Sequence, residues 1–287
     1  MATYTHFGKQ ADVFKHLIFC EVLQNEKPSV YVETNSASAI YRMEHTPEQQ
    51  YGIYHFLENA DREEALKNST YYKLESPEMA KGNYLGSPAL AMNILGEQTR
   101  QYQFFDIEKE ALENVSRYAD RMKLNTAVQT CNSDSLTGVM ELLPSLPASS
   151  FVHIDPYEID KKGTSGTTYL DILVKATQAG MRCLLWYGFM TGDDKTHLNQ
   201  YIAGKLKEAG IREYTCVELT MNSIRKDTII CNPGIVGSGI LATNLSQKSN
   251  TLILESSKRL VNLYQHAEYK SYDGSLYREV LRKFRTG

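Results

Sequence analysis

Seven short apolar, β-branched runs recur along the chain: SVYVET (29–34), YQFFDI (102–107), AVQTC (127–131), SFVHID (150–155), RCLLWYGF (182–189), REYTCVELT (212–220) and SGILATN (238–244). Stretches of helical period separate most of them. EKEALENVSRYADRMKL follows the second run, with Ala111, Leu112, Val115, Tyr118, Ala119 and Met122 on one side. YLDILVKATQAG precedes the fifth run and HLNQYIAGKLKEAG the sixth. Strand–helix alternation of this kind predicts a mainly parallel sheet covered by helices on both faces. The last two runs have no clear helix between them and predict a terminal antiparallel pair. Two features break the rhythm. Residues 11–25 precede the first strand as a helix with Phe14, Leu17, Ile18 and Val22 on one face. Residues 43–84 are polar, aromatic and helix-like, which predicts a helical subdomain inserted into a single domain spanning 1–287.

The composition suits that architecture. Hydrophobic residues make up 42% of 287, enough for a sizeable core, and charged residues make up 23%. A net charge of −3 argues mildly against a broad nucleic-acid footprint. It leaves room for a local basic patch, such as the tail bearing Arg278, Arg282, Lys283 and Arg285. That tail also reads as an ordinary solvated helix face. Five cysteines, at 20, 131, 183, 216 and 231, show no metal-ligand spacing and fit reduced thiols in a cytoplasmic protein. The first residues lack the apolar core of a signal peptide, and no apolar run reaches the ~18 residues of a membrane span. A metal-free, soluble monomer is expected.

In an open parallel sheet, ligands bind beyond the carboxyl ends of the strands. Here those ends are polar or acidic. The first leads into Glu33-Thr34-Asn35-Ser36-Ala37-Ser38-Ala39, the second into Asp106, the third into Asn132-Ser133-Asp134-Ser135, and the fourth into Asp155-Pro156-Tyr157. A carboxylate after the second strand can accept ribose hydroxyls, and a polar group after the third can face an adenine amine. Any single polar tip more often just starts a turn. Four together predict a nucleotide-type site. GSPALAMNIL (86–95) adds a helix start, with Ser87 placed as N-cap and Pro88 as first helical residue.

The fourth tip carries the sharpest chemistry. Adenine N6 is a poor nucleophile because its lone pair is delocalised into the ring. An acidic side chain and a proline carbonyl can each accept one amine hydrogen, and an aromatic ring can stack on a base drawn out of its helix. Asp155, Pro156 and Tyr157 supply those parts in order. The alternative is a strand ending in a turn with a surface tyrosine.

With these residues in view, the chain resembles the RlmJ family of 23S rRNA adenine-N6 methyltransferases. The resemblance is patchy but collinear from end to end. It is carried by YTHFGKQADVFKH (4–16), VYVETNSASAIY (30–41), YLGSPALA (84–91), FVHIDPYE (151–158), LLWYGF (184–189), IREYTCVEL (211–219) and GSGILATN (237–244). It implies a Rossmann-like class I S-adenosylmethionine-dependent methyltransferase fold with a seven-stranded sheet. S-adenosylmethionine is then the cofactor and RNA the partner, ribosomal RNA in particular. It places His16, Asn35, Ser87, Asp106, Asp134 and Ser135 at the cofactor, Asp155 at the target amine, and Tyr4 and Lys15 at the nucleic acid. This chain departs from the family pattern in three places. N-S-A-S-A replaces a glycine-containing H-A-G-A-G loop, Asp106 replaces a glutamate, and one proline of D-P-P-Y is missing. The departures keep two alternatives open: a non-catalytic nucleic-acid-binding or defence-partner protein on the same scaffold, and a methyltransferase for DNA or a small molecule.

Overall fold

The computed structural model describes residues 7–221, 235–264 and 267–273. Tyr4, Cys231 and the basic tail from Arg278 to Arg285 lie outside them. The chain enters through helix α1 (Gln10–Glu26) into strand β1 (Val30–Glu33) and a short strand β2 (Ile40–Arg42). Four short helices follow, α2 (Pro47–Gln49), α3 (His55–Ala60), α4 (Glu64–Lys67) and α5 (Thr70–Met79). Strand β3 (Asn83–Leu85) then pairs antiparallel with β2. Next come α6 (Ser87–Leu95), β4 (Gln101–Asp106), α7 (Lys109–Arg121), β5 (Val128–Asn132), α8 (Ser135–Leu142) and β6 (Phe151–Ile154). The chain continues with α9 (Tyr169–Gln178), β7 (Arg182–Phe189), α10 (Gly192–Glu208), β8 (Thr215–Met221), β9 (Gly237–Thr243), α11 (Gln247–Val261) and β10 (Ala267–Asp273).

The main sheet has the order β10-β8-β9-β7-β6-β1-β4-β5. Strands β5, β4, β1, β6 and β7 pair in parallel, while β9 runs antiparallel between β7 and β8. All seven strands predicted from the sequence are present. The sheet nevertheless has eight, because β10 adds an antiparallel edge beside β8. Its sequence, AEYKSYD, has no apolar run to announce it. The insertion also differs from expectation, since β2 and β3 clamp its two ends together.

Period-two alternation divides the core. Tyr31, Phe151 and Leu184 face one layer with α1, α6, α7 and α11, while Val30, Val32, Val152 and Leu185 face the other with α8, α9 and α10. Helix α1 is buried nearly all round rather than on one face. It packs against α5, α6 and α11 as well as the sheet, and takes Lys15 and His16 into the interior with it. Helix α6 is capped one residue earlier than predicted: Gly86 is the N-cap, and Ser87 and Pro88 are its first two residues.

One buried acid has a measurable consequence. Glu75 in α5 is fully buried, and both its oxygens accept the Leu85 amide at 3.2 Å. Burial pushes its carboxyl well above the usual range, against the Leu85 hydrogen bond and aided by Glu78 and Asp12. A carboxyl raised in the folded state contributes its full stability below the unfolded pKa. It loses that stability as pH rises toward the folded pKa, at no more than about 1.4 kcal/mol per unit. Glu75→Gln is therefore expected to flatten the fall in urea midpoint between pH 5 and pH 8. An unchanged slope would remove Glu75 as its source.

Candidate active site

The loop after β1 is the scaffold of the site. Asn35 and Ala37 both sit at φ 51°, in the left-handed region. For a residue with a Cβ that conformation costs roughly 1–2 kcal/mol, so the surroundings must impose it. They do so through the loop's amides. Thr34 N donates to His153 O (3.0 Å) and Ser36 N to Phe105 O (3.0 Å). Ala37 N donates to Asp106 Oδ2 (2.8 Å) and Ser38 N to Tyr41 Oη (2.9 Å). Ala39 N and Ile40 N share Asn114 Oδ1, at 3.0 and 3.1 Å. A loop without glycine thus holds a glycine-like path because acceptors from β6, β4, β2 and α7 fix it. Gly86 lets α6 approach: a Cβ there would stand 2.1 Å from Ser38 O.

Asp155 stands at the tip of β6, tied to β1 by its amide donating to Thr34 Oγ1 at 3.1 Å. Helix α1 delivers Lys15 to it, with Nζ 2.7 Å from Asp155 Oδ2 and 3.4 Å from Asp12 Oδ1. Both partners of the 2.7 Å pair are nearly buried. Burial raises the Asp155 carboxyl above the ordinary aspartate range, with Lys15 and His153 opposing. Burial pulls the other way on the Lys15 ammonium, but Asp155 and Asp12 outweigh it and keep the group charged. Beside them, His16 Nδ1 lies 2.9 Å from Tyr84 Oη, which lies 3.2 Å from Tyr71 Oη. Burial, helped by the Lys15 charge, holds His16 well below its usual pKa and hence neutral.

Underneath, Glu33 is fully buried at the end of β1. It accepts from Tyr31 Oη at 2.7 Å and from the Ser87 hydroxyl, and its Oε1 lies 3.3 Å from His153 Nδ1. The carboxyl ends of β1 and β6, with helices α1 and α6, line a cleft of about 710 Å³.

Of the residues singled out from sequence, Lys15, His16, Asn35, Ser87, Asp155, Pro156 and Tyr157 line this cleft. Tyr157 is 52% exposed at its mouth, where the chain with one proline leaves it. Asp106, Asp134 and Ser135 are not among the lining residues. Asp106 is turned to the loop, its Oδ2 accepting Ala37 N and its Oδ1 accepting Glu108 N, both at 2.8 Å. Asp134 caps α8, accepting from Leu136 N and Thr137 N. Ser135 Oγ donates to Asn35 Oδ1 (3.2 Å) and lies 3.0 Å from Tyr169 Oη, to which Asn35 Nδ2 also donates (2.9 Å). Tyr169, Tyr84 and Trp186 are parts of the site that sequence reasoning left unassigned. The last two stand in the YLGSPALA and LLWYGF segments, whereas Tyr169 opens a helix read only by its period. Among the described residues, no cluster of His, Cys, Asp and Glu is arranged to hold a metal, and no helix is long and apolar enough to cross a membrane.

The strand order, the antiparallel β9 and a cleft at the carboxyl ends of β1 and β6 define a class I S-adenosylmethionine-dependent methyltransferase fold. The chain resembles the RlmJ family over most of its length. It is 26% identical over 261 residues to the ribosomal RNA large subunit methyltransferase J of Haemophilus influenzae, covering 83% of this chain and 84% of that protein. It shares its fold with the crystal structure of protein LPL1258 from Legionella pneumophila, at a TM-score of 0.70 and 21% identity. That match covers 94% of this chain and 99% of the other. No family model matches the chain.

Proposed function

We propose that this protein transfers a methyl group from S-adenosylmethionine to the N6 amine of an adenine in RNA. The observation that carries the reading is a buried carboxylate, Asp155, at the tip of β6, held at 2.7 Å by Lys15 on the wall of a nucleoside-sized cleft. RNA as the substrate class is supported by the likeness to the Haemophilus ribosomal RNA methyltransferase.

The cleft fits the cofactor. Ser36 lines it, is 1% exposed, and its Oγ has no hydrogen-bond partner among the described residues. A buried hydroxyl without a partner is a place for a ligand's polar group. His16, Asn35, Ser36 and Ser87 would hold the cofactor, and Asp106 would support it from behind through the Ala37 amide. When bound, the cofactor would supply a methyl group from its sulfonium, with the neutral thioether as the leaving group. Asp155 Oδ1 accepts one hydrogen of the target amine and the Pro156 carbonyl the other, which returns electron density to nitrogen. Lys15 keeps Asp155 ionised for that task. The amine's surplus proton would leave to solvent.

A second reading rests on one specific observation. Both Asp106 oxygens already accept protein amides, and Asn35 is tied to Ser135 and Tyr169. That arrangement suits a nucleic-acid-binding protein on a methyltransferase scaffold. One experiment separates the two. S-adenosylhomocysteine at 100 times its dissociation constant is expected to stabilise the fold by about 2.7 kcal/mol. Label from radioactive S-adenosylmethionine is expected in undermodified ribosomal RNA, on adenine N6. No thermal shift and no calorimetric heat at millimolar cofactor would leave the binding-protein reading. Label on DNA alone would redirect the substrate.

A further inference from the structure

The rings around the cleft are not equally free to meet a base. Phe7 and Tyr41 stack on each other at 4.5 Å between centroids. Tyr84 is fully buried, with its hydroxyl between His16 and Tyr71. Tyr157 also lines the cleft but is half-exposed to solvent. Trp186, on β7, lines the cleft beside that pair: Lys15 Nζ stands 5.3 Å from its ring centroid and 2.7 Å from Asp155 Oδ2. Those two distances put the indole within reach of a base whose amine is held at Asp155. The ring is one the mechanism above does not use, and its Nε1 has no partner among the described residues.

We infer that Trp186, rather than Tyr157, is the ring against which the target base packs. This deepens the methyltransferase reading and rests on it. The physical argument is the tolerance of stacking: every base has a π face, and an aromatic wall next to the amine acceptor holds the base without reading its edge. The missing proline then has a structural answer. A tip that leaves its own tyrosine at the mouth can still work if the neighbouring strand supplies the wall.

Trp186 is the chain's single tryptophan, so its emission reports on this site alone. The full chain would be titrated with S-adenosylhomocysteine. A fluorescein-labelled single-stranded oligoribonucleotide containing one adenine would follow, then the same oligonucleotide with an abasic site in its place. Anisotropy follows binding independently of the tryptophan signal. The adenine oligonucleotide is expected to quench the emission, and the abasic one to bind without quenching. On an RNA that takes label, Trp186→Ala is expected to raise KM about 5- to 100-fold, with kcat and S-adenosylhomocysteine affinity kept. Trp186→Phe should recover most of that loss, and it also decides the matter if the alanine variant does not fold. Binding of the adenine oligonucleotide with unchanged emission overturns the inference, as does the absence of any oligonucleotide binding. Full quenching by S-adenosylhomocysteine alone also overturns it, because the indole then belongs to the cofactor. Quenching by adenine in a protein that transfers no methyl group keeps Trp186 as the base's wall and removes the methyltransferase reading.

Discussion

Replacing Asp155 by alanine is expected to reduce methyl transfer to RNA at least about a hundredfold, the scale of losing one preorganised polar group at a reacting centre. S-adenosylhomocysteine should still bind. The carboxylate faces the cleft from the β6 tip, while the cofactor-side groups Ser36 and Ser87 belong to other elements. The variant should also be less stable, since Lys15 keeps only Asp12 at 3.4 Å as a carboxylate partner. Removing one member of a buried ion pair costs about 3–5 kcal/mol. Asp155→Asn separates the two effects, because it keeps an oxygen acceptor and should retain more activity than alanine. Protonation removes the charge that makes Asp155 a strong acceptor and leaves a weaker, neutral one. Burial raises its pKa, so activity should fall as pH drops through a value above the ordinary aspartate range. Label that persists in Asp155→Ala at wild-type rate would remove the residue from its proposed role.

Asp106→Ala should give the largest stability loss of the cofactor-side substitutions. Its carboxylate is 2% exposed and accepts two backbone amides, one of them from Ala37 in the left-handed region. Hydrogen bonds to charged groups contribute about 1.5–3 kcal/mol each, so a loss of at least about 3 kcal/mol is expected in urea denaturation. Cofactor affinity should fall with it, because the Asn35–Ala39 path relaxes once Ala37 N has no acceptor. Asp134→Ala provides the comparison. It removes a helix cap, which costs typically about 1 kcal/mol, and should leave cofactor affinity much less affected. Equal losses from Asp106→Ala and Asp134→Ala would show that the loop is not held through Asp106.

The sequence alone determined seven strands of the sheet and the acidic tip at Asp155 that lines the cleft. Strand period and helical period are local properties, so seven β-branched runs and their intervening helices could be read without a partner in view. So could the tip at Asp155, because an acid and a proline directly after four buried residues can only end a strand. The polar strand β10 could not be read this way, since nothing in AEYKSYD separates a strand edge from a turn. Nor could the burial of α1, which meets α5, α6 and α11, elements far from it in sequence. Tertiary structure decided what each tip does. Lys15 and Asp155 are 140 residues apart, and Ala37 and Asp106 are 69 apart. No spacing rule joins them. The packing of α1 against the sheet joins the first pair. The register of β4 against β1 joins the second, because a shift of one residue would turn each side chain to the opposite face of the sheet. That register makes Asp106 an anchor for the loop, and β7, paired beside β6, carries Trp186 to the ion pair.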